Sequence, residues 1–206
     1  MQYMLQDIID FLFKNKKITT FDEITILVND LTLEAKENIK KFAINYKKIR
    51  IVTNHYEKFR KLEEELYDNK GISIILTNNK RKAMAKSKLI INFDFVQESI
   101  NQYNINEDAI IINLCDKIKI NKKRFSGLIV TDYEVEFKNL NQSTTENLEK
   151  ILERQNEFWV KEMIEEKIYS DIEKVPNYNI FEHTKKLIEN YNLQIKELYA
   201  TKGILT

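Results

Sequence analysis

The chain has 206 residues, 43% of them hydrophobic and 32% charged, with a formal net charge of +1 at pH 7. That suits one large domain, or one domain with a small appendage, and gives no global reason to expect nucleic acid or an acidic membrane as partner. A single cysteine, Cys115, excludes an internal disulfide and a multi-cysteine metal site.

In residues 3–14, Tyr3, Met4, Ile8, Phe11 and Leu12 recur at helical spacing, which predicts an amphipathic helix. Asp7 and Asp10 interrupt its apolar positions and no small-residue cleavage site follows, so a cytoplasmic, reducing setting is expected rather than secretion. No apolar run approaches the roughly 20 residues that span a bilayer.

From Ile24 onward, short β-branched runs stop abruptly at Asn, Thr or Asp. They are expected as strands at 24–28, 49–53, 72–76, 88–92, 109–114 and 127–131, the last with an extension towards Phe137. Near-continuous Val/Ile runs divided by helical stretches are what a parallel sheet covered on both faces requires. Thr32 is the expected N-cap of a helix from Leu33 to Tyr46, and Gly71 the expected stop of a helix from about Tyr56 to Asn69. About two helical turns fit between Asn78 and Ser87, and a short helix is expected near 95–103. Residues 115–126 read as basic and irregular. Beyond Ser143 the pattern predicts helices only: a long one capped by Thr144 or Thr145 and running to about Glu173, then another over roughly 180–199.

This order fits an α/β, doubly wound, mostly parallel Rossmann-like sheet of order 3-2-1-4-5-6 with flanking N- and C-terminal helices. Within it, the strand Ile49 to Asn54, then Glu57 and Lys58, then the Leu62–Leu66 stretch resembles the second strand and helix of shikimate dehydrogenase and glutamyl-tRNA reductase. Residues Ala83 to Asn92 are similar to the short helix and fourth strand of those families, and Ile129 to Tyr133 to their sixth strand. The similarity spans about 24–133. It implies a nucleotide domain that takes NAD(P); the residue pattern itself divides the chain into an N-terminal helix over 1–17, an α/β domain over 18–138 and a helical extension over 143–206. By the same analogy the extension would pack back on the domain or form a homodimer.

In an open parallel sheet, ligands bind beyond the carboxyl ends of the strands. The candidate cofactor-binding residues are therefore Asn29, Asp30, Thr32, Thr53, Asn54, Thr77, Asn78, Arg81, Asn92 and Asp94. The chain departs from the families at the first loop, Val28 to Leu33, which has no glycine to let backbone amides approach a pyrophosphate. Asp30 would also face the anion. No acidic residue follows the second strand to bond a ribose; Thr53 and Asn54 stand there. A dinucleotide reading requires this cleft to be open, whereas a degenerate interaction module would fill it with Leu31, Leu33 or Phe93.

Other chemistries find less support. A receiver domain needs an aspartate where the third strand ends in Thr77. Asp30, Asp94, Asp116 and Asp132 share the strand ends and would suit a hard cation, but aspartates there also cap turns, the preferred reading. Cys115 has only His55 as a conceivable base, displaced along the sheet edge. Residues Lys117 to Phe125 interleave basic and apolar side chains, as a phosphate-backbone contact does, but acidic residues elsewhere cancel that charge globally. The expectation is thus a Rossmann-like domain with a nucleotide or other small ligand at the strand ends, or a non-catalytic module for interaction and dimerisation.

Overall fold

The computed structural model describes residues 1–15, 17–18, 23–137 and 192–206, together with the separate positions Glu182, Lys186, Ile188 and Glu189. Its elements alternate: α1 (Leu5–Lys14), β1 (Glu23–Leu27), α2 (Leu33–Asn45), β2 (Lys48–Val52), α3 (Tyr56–Lys70), β3 (Ile75–Thr77) and α4 (Lys80–Lys86). Then come β4 (Leu89–Asn92), α5 (Gln97–Asn101), β5 (Ile110–Asn113), β6 (Leu128–Phe137), β7 (Leu193–Ala200) and β8 (Gly203–Leu205). They form one sheet of order β3-β2-β1-β4-β5-β6-β7-β8. The first six of these strands are mutually parallel, in the expected 3-2-1-4-5-6 order.

Alternation along each strand divides the core between the two faces. Ile24, Ile26, Ile49, Ile51, Leu89, Ile91, Ile110 and Ile112 pack with the apolar stripes of α1, α2 and α3. Leu27, Val52, Ile90, Ile111 and Ile129 pack on the other face with Ala83 and Met84 of α4 and Ile100 of α5. A strand buried on both sides has no polar face, which is why its sequence reads as an unbroken apolar run. Phe42 and Phe59 are wholly buried, each worth about 3 kcal/mol at the upper end of side-chain burial.

The helix ends follow from local chemistry. The Thr32 hydroxyl accepts the Ala35 N–H at 3.2 Å, capping α2. Gly71, at φ +65°, ends α3 in the left-handed conformation and lets Ile72 N–H reach the Leu66 carbonyl, the Schellman arrangement. Among the described residues no helix is long and apolar enough to cross a membrane.

One expectation is corrected. The helix expected over roughly 180–199 does not continue past residue 192: Leu193–Ala200 is a strand, antiparallel to β6, and β8 folds back on it. The reason is a β-bulge. Glu134 pairs with Glu197 while Val135 pairs with Ile195, so β7 has one extra residue there. Leu193, Ile195 and Leu198 are all buried, and the three-residue step from Ile195 to Leu198 imitates helical spacing. The expected long helix of 143–173 and the dimerising role of the extension lie outside the described residues.

Candidate functional site

The strand order reverses between β1 and β4, so their carboxyl ends flank the crevice where this topology holds ligands. In this chain that crevice is crossed by the protein's own side chains. Asp94, just past β4, accepts the backbone N–H of Asn29 at 2.7 and 2.9 Å with its two oxygens, and that of Asp30 at 2.7 Å. Two adjacent amides aimed at one anion form the kind of cradle that elsewhere receives phosphate. Here a carboxylate of the same chain sits in it.

The rest of the first loop is similarly engaged. Asn29 Oδ1 accepts the Asn54 N–H at 2.8 Å, tying the end of β1 to that of β2. The Asp30 carboxylate pairs with Lys58 Nζ of α3 at 3.1 Å, an exposed pair worth under about 1 kcal/mol. Thr32 is committed to capping α2, whose first turn also carries Glu34, itself unfavourable to a bound anion. Leu33 stays 41% exposed, while Leu31 and Phe93 lie half-buried against the core. A polar latch thus joins the loops after β1 and β4 that flank the crevice.

At β2 and β3 the candidate residues serve turns. Thr53 Oγ1 accepts the His55 N–H at 3.0 Å, and Thr77 Oγ1 the Asn79 N–H at 3.0 Å. Asn79 caps α4 by accepting the Lys82 N–H at 3.0 Å. Asn78 and Arg81 are exposed on the rim, and Arg81 makes no ion pair among the described residues. Lys80 lies over the rings of Phe95 and Tyr103, at 5.6 and 5.8 Å from their centroids.

A second knot joins β4 to β5. The buried Asn92 amide donates to Asn113 Oδ1 at 2.8 Å and to the Phe95 carbonyl at 2.9 Å, and its oxygen accepts the Phe95 N–H at 3.0 Å. Asn113 donates to the carbonyls of Cys115 and Asp116 at 2.9 and 3.0 Å. Cys115 Sγ lies within this knot, 3.0 Å from Asn92 Nδ2. Burial pushes its thiol up from the ordinary value, so the thiolate a nucleophile needs is disfavoured. Its hydrogen-bond partners are Asn92, Asn113 and the Phe95 carbonyl, and the Asp116 and Asp94 carboxylates act on it electrostatically; His55 is not among these groups.

The sequence placed Asn29, Asp30, Asn54, Asn92 and Asp94 along one edge, and the structure links them in two networks. The candidate set left out Lys58, Asn113 and Cys115, although the last two follow the fifth strand at the same edge, since nothing local marks a side chain whose partner lies on another strand. The aspartate set considered for a cation does not converge: Asp94 holds amides, Asp30 holds Lys58, and Asp132 accepts the Tyr133 N–H. Among the described residues no group of three or more His, Cys, Asp or Glu side chains is placed to hold a metal.

No protein-family model and no curated protein matches the chain. Among solved structures it is similar to Thermococcus litoralis Δ1-pyrroline-2-carboxylate reductase in complex with NADH and L-proline, with a TM-score of 0.37 and 17% sequence identity. The similarity covers 54% of this chain and 35% of that one, so the chain spans about a third of that enzyme's length.

Proposed function

We propose that this chain is a diverged Rossmann-like domain, of shikimate dehydrogenase-like or glutamyl-tRNA reductase-like descent, that no longer holds a dinucleotide conventionally. In this reading it works in the cytoplasm as a non-catalytic interaction module that self-associates as a homodimer. The observation that carries it is the Asp94 carboxylate on the amides of Asn29 and Asp30. A pyrophosphate entering there must displace a charge-assisted pair of hydrogen bonds and then face the displaced carboxylate. The loop side chains that replace glycine, and Glu34 in the first turn of α2, act in the same direction.

One observation favours a second reading, in which NAD(P) or another nucleotide docks across the β2 and β3 ends. Asn78 and Arg81 are exposed there, and Arg81 has no carboxylate partner among the described residues.

Thermal-shift titration of the full chain with NAD, NADP and S-adenosylmethionine, beside Arg81→Ala, separates the two. A ligand at 100 times its dissociation constant adds about 2.7 kcal/mol of stability. The expected result is no shift that Arg81→Ala removes. A shift lost in that variant overturns the proposal in favour of nucleotide binding. Light scattering on the full chain tests the second half: a dimer at micromolar concentration is expected, and a monomer there rejects self-association.

A further inference from the structure

The basic stretch before β6 is not absorbed by the strand-end networks, and it is more ordered than its lack of secondary structure suggests. Its backbone is strapped to α5 by side chains. Lys119 N–H donates to Gln97 Oε1 at 2.8 Å, Asn101 Nδ2 donates to the Lys119 carbonyl at 2.7 Å, and Asn121 N–H donates to Asn101 Oδ1 at 2.9 Å. Ile118 is buried beneath. At the far end Ser126 N–H donates to the Glu107 carbonyl at 2.8 Å, and Ser126 Oγ to Asp108 Oδ1 at 2.6 Å. A loop held at both ends presents its side chains at defined positions.

With Asn104, Ile105 and Glu107 they line a half-open pocket of about 410 Å³ at the amino ends of β5 and β6, opposite the edge described above. Ile105 and Phe125 supply its apolar wall, and Lys122, Lys123 and Arg124 its charge. Among the described residues neither lysine makes an ion pair. The one acid in the lining, Glu107, reaches Arg124 only at 4.0 Å, with both side chains largely in solvent. Asp108 is engaged by Ser126. Three cations thus face one weakly engaged carboxylate beside an aromatic ring, in a volume within the range of small-ligand sites.

We propose that this pocket binds a small phosphate ester carrying a flat or apolar group, with Lys122, Lys123 and Arg124 on the phosphate and Ile105 and Phe125 against the remainder. A basic cluster confined to one loop of a chain of net charge +1 favours a small ligand over a nucleic acid, which would need a basic face extending well beyond that loop. The site is independent of the strand-end reading: a nucleotide held there would respond to Arg81→Ala, and one held here to the lysines.

The test is calorimetric titration of the full chain with ADP, pyrophosphate, adenosine and a single-stranded oligonucleotide. ADP should bind, adenosine should bind far more weakly, and raising salt from about 50 to about 500 mM should weaken ADP binding. Lys122→Glu with Lys123→Glu should weaken ADP about tenfold or more, while Arg81→Ala leaves it unchanged. Arg124→Gln alone should produce a smaller loss, keeping the test open should the double variant fold poorly. Absence of ADP and pyrophosphate binding, or equal affinity in the variants, overturns the proposal. So does an oligonucleotide that binds much more tightly than ADP, which would make the loop a nucleic-acid surface.

Discussion

The carboxyl edge of the parallel sheet and the basic loop at the amino ends of β5 and β6 treat their polar residues in opposite ways. At the carboxyl edge the side chains are committed to one another: Asp94 to the first-loop amides, Asn29 to Asn54, Asp30 to Lys58, and Asn92 to Asn113. At the amino edge between β5 and β6, the loop backbone is fixed while its cations face solvent around a pocket. The usual rule for open α/β sheets directs attention to the carboxyl ends. In this chain most of the polar groups there hold one another, with Arg81 the exception on the rim, and a cluster of cations with little carboxylate pairing lies at the other end. A fold therefore locates where a site is easily built, and only the partners of each side chain tell whether it is still vacant.

The sharpest way to break this contrast is Asn92→Ala. The change removes the acceptor of the Phe95 N–H and the donor to both the Phe95 carbonyl and Asn113, all at a buried position. Orphaned buried polar groups cost roughly 1–3 kcal/mol each, partly relieved by water, so a loss of about 3 kcal/mol is expected. Chemical denaturation followed by circular dichroism measures it. A loss below about 1 kcal/mol would mean that the carboxyl edge is not held by its side chains, and the comparison would fail.

Asp94→Ala comes next. It leaves the Asn29 and Asp30 amides to water and deletes a charge-assisted contact, for an expected loss of about 2 kcal/mol. Asp94→Asn keeps an acceptor oxygen but not the charge, and should lose about half as much. Equal losses in the two variants would show that the charge contributes nothing to the latch.

How much of this could be read from the sequence differs along the chain for physical reasons. The six parallel strands were legible because burial on both faces makes runs such as Ile110 to Ile112 uniformly apolar, whatever their register. β3 is shorter than its run: Ile72, Ser73 and Ile74 precede the paired residues Ile75–Thr77, and apolar character alone does not tell a strand from its approach. β7 was illegible because its bulge breaks the two-residue period that identifies a half-buried strand. At the carboxyl edge, the run endings placed Asp94 and Asn29 together. The latch itself joins residues 65 apart in the chain, and no local pattern encodes such a pair. The basic stretch was visible as composition, but its rigidity comes from Gln97 and Asn101 on another element.

The smallest expected effect sharpens the contrast from the other side. If the amino-edge lysines, half-buried Lys122 and exposed Lys123, are free of structural duty, Lys122→Ala with Lys123→Ala should change stability by no more than about 0.5 kcal/mol, as substitutions away from packing and capping do. The sign should be slightly favourable at low salt, because removing two of three neighbouring cations relieves their mutual repulsion, and the gain should fade as salt screens it. The same denaturation measurement reads both. A loss of 1 kcal/mol or more would mean these side chains hold the loop as Asp94 holds its own, and the two edges would differ only in where their partners lie. A neutral result beside a large loss for Asn92→Ala would separate a spent edge from an available one within a single sheet.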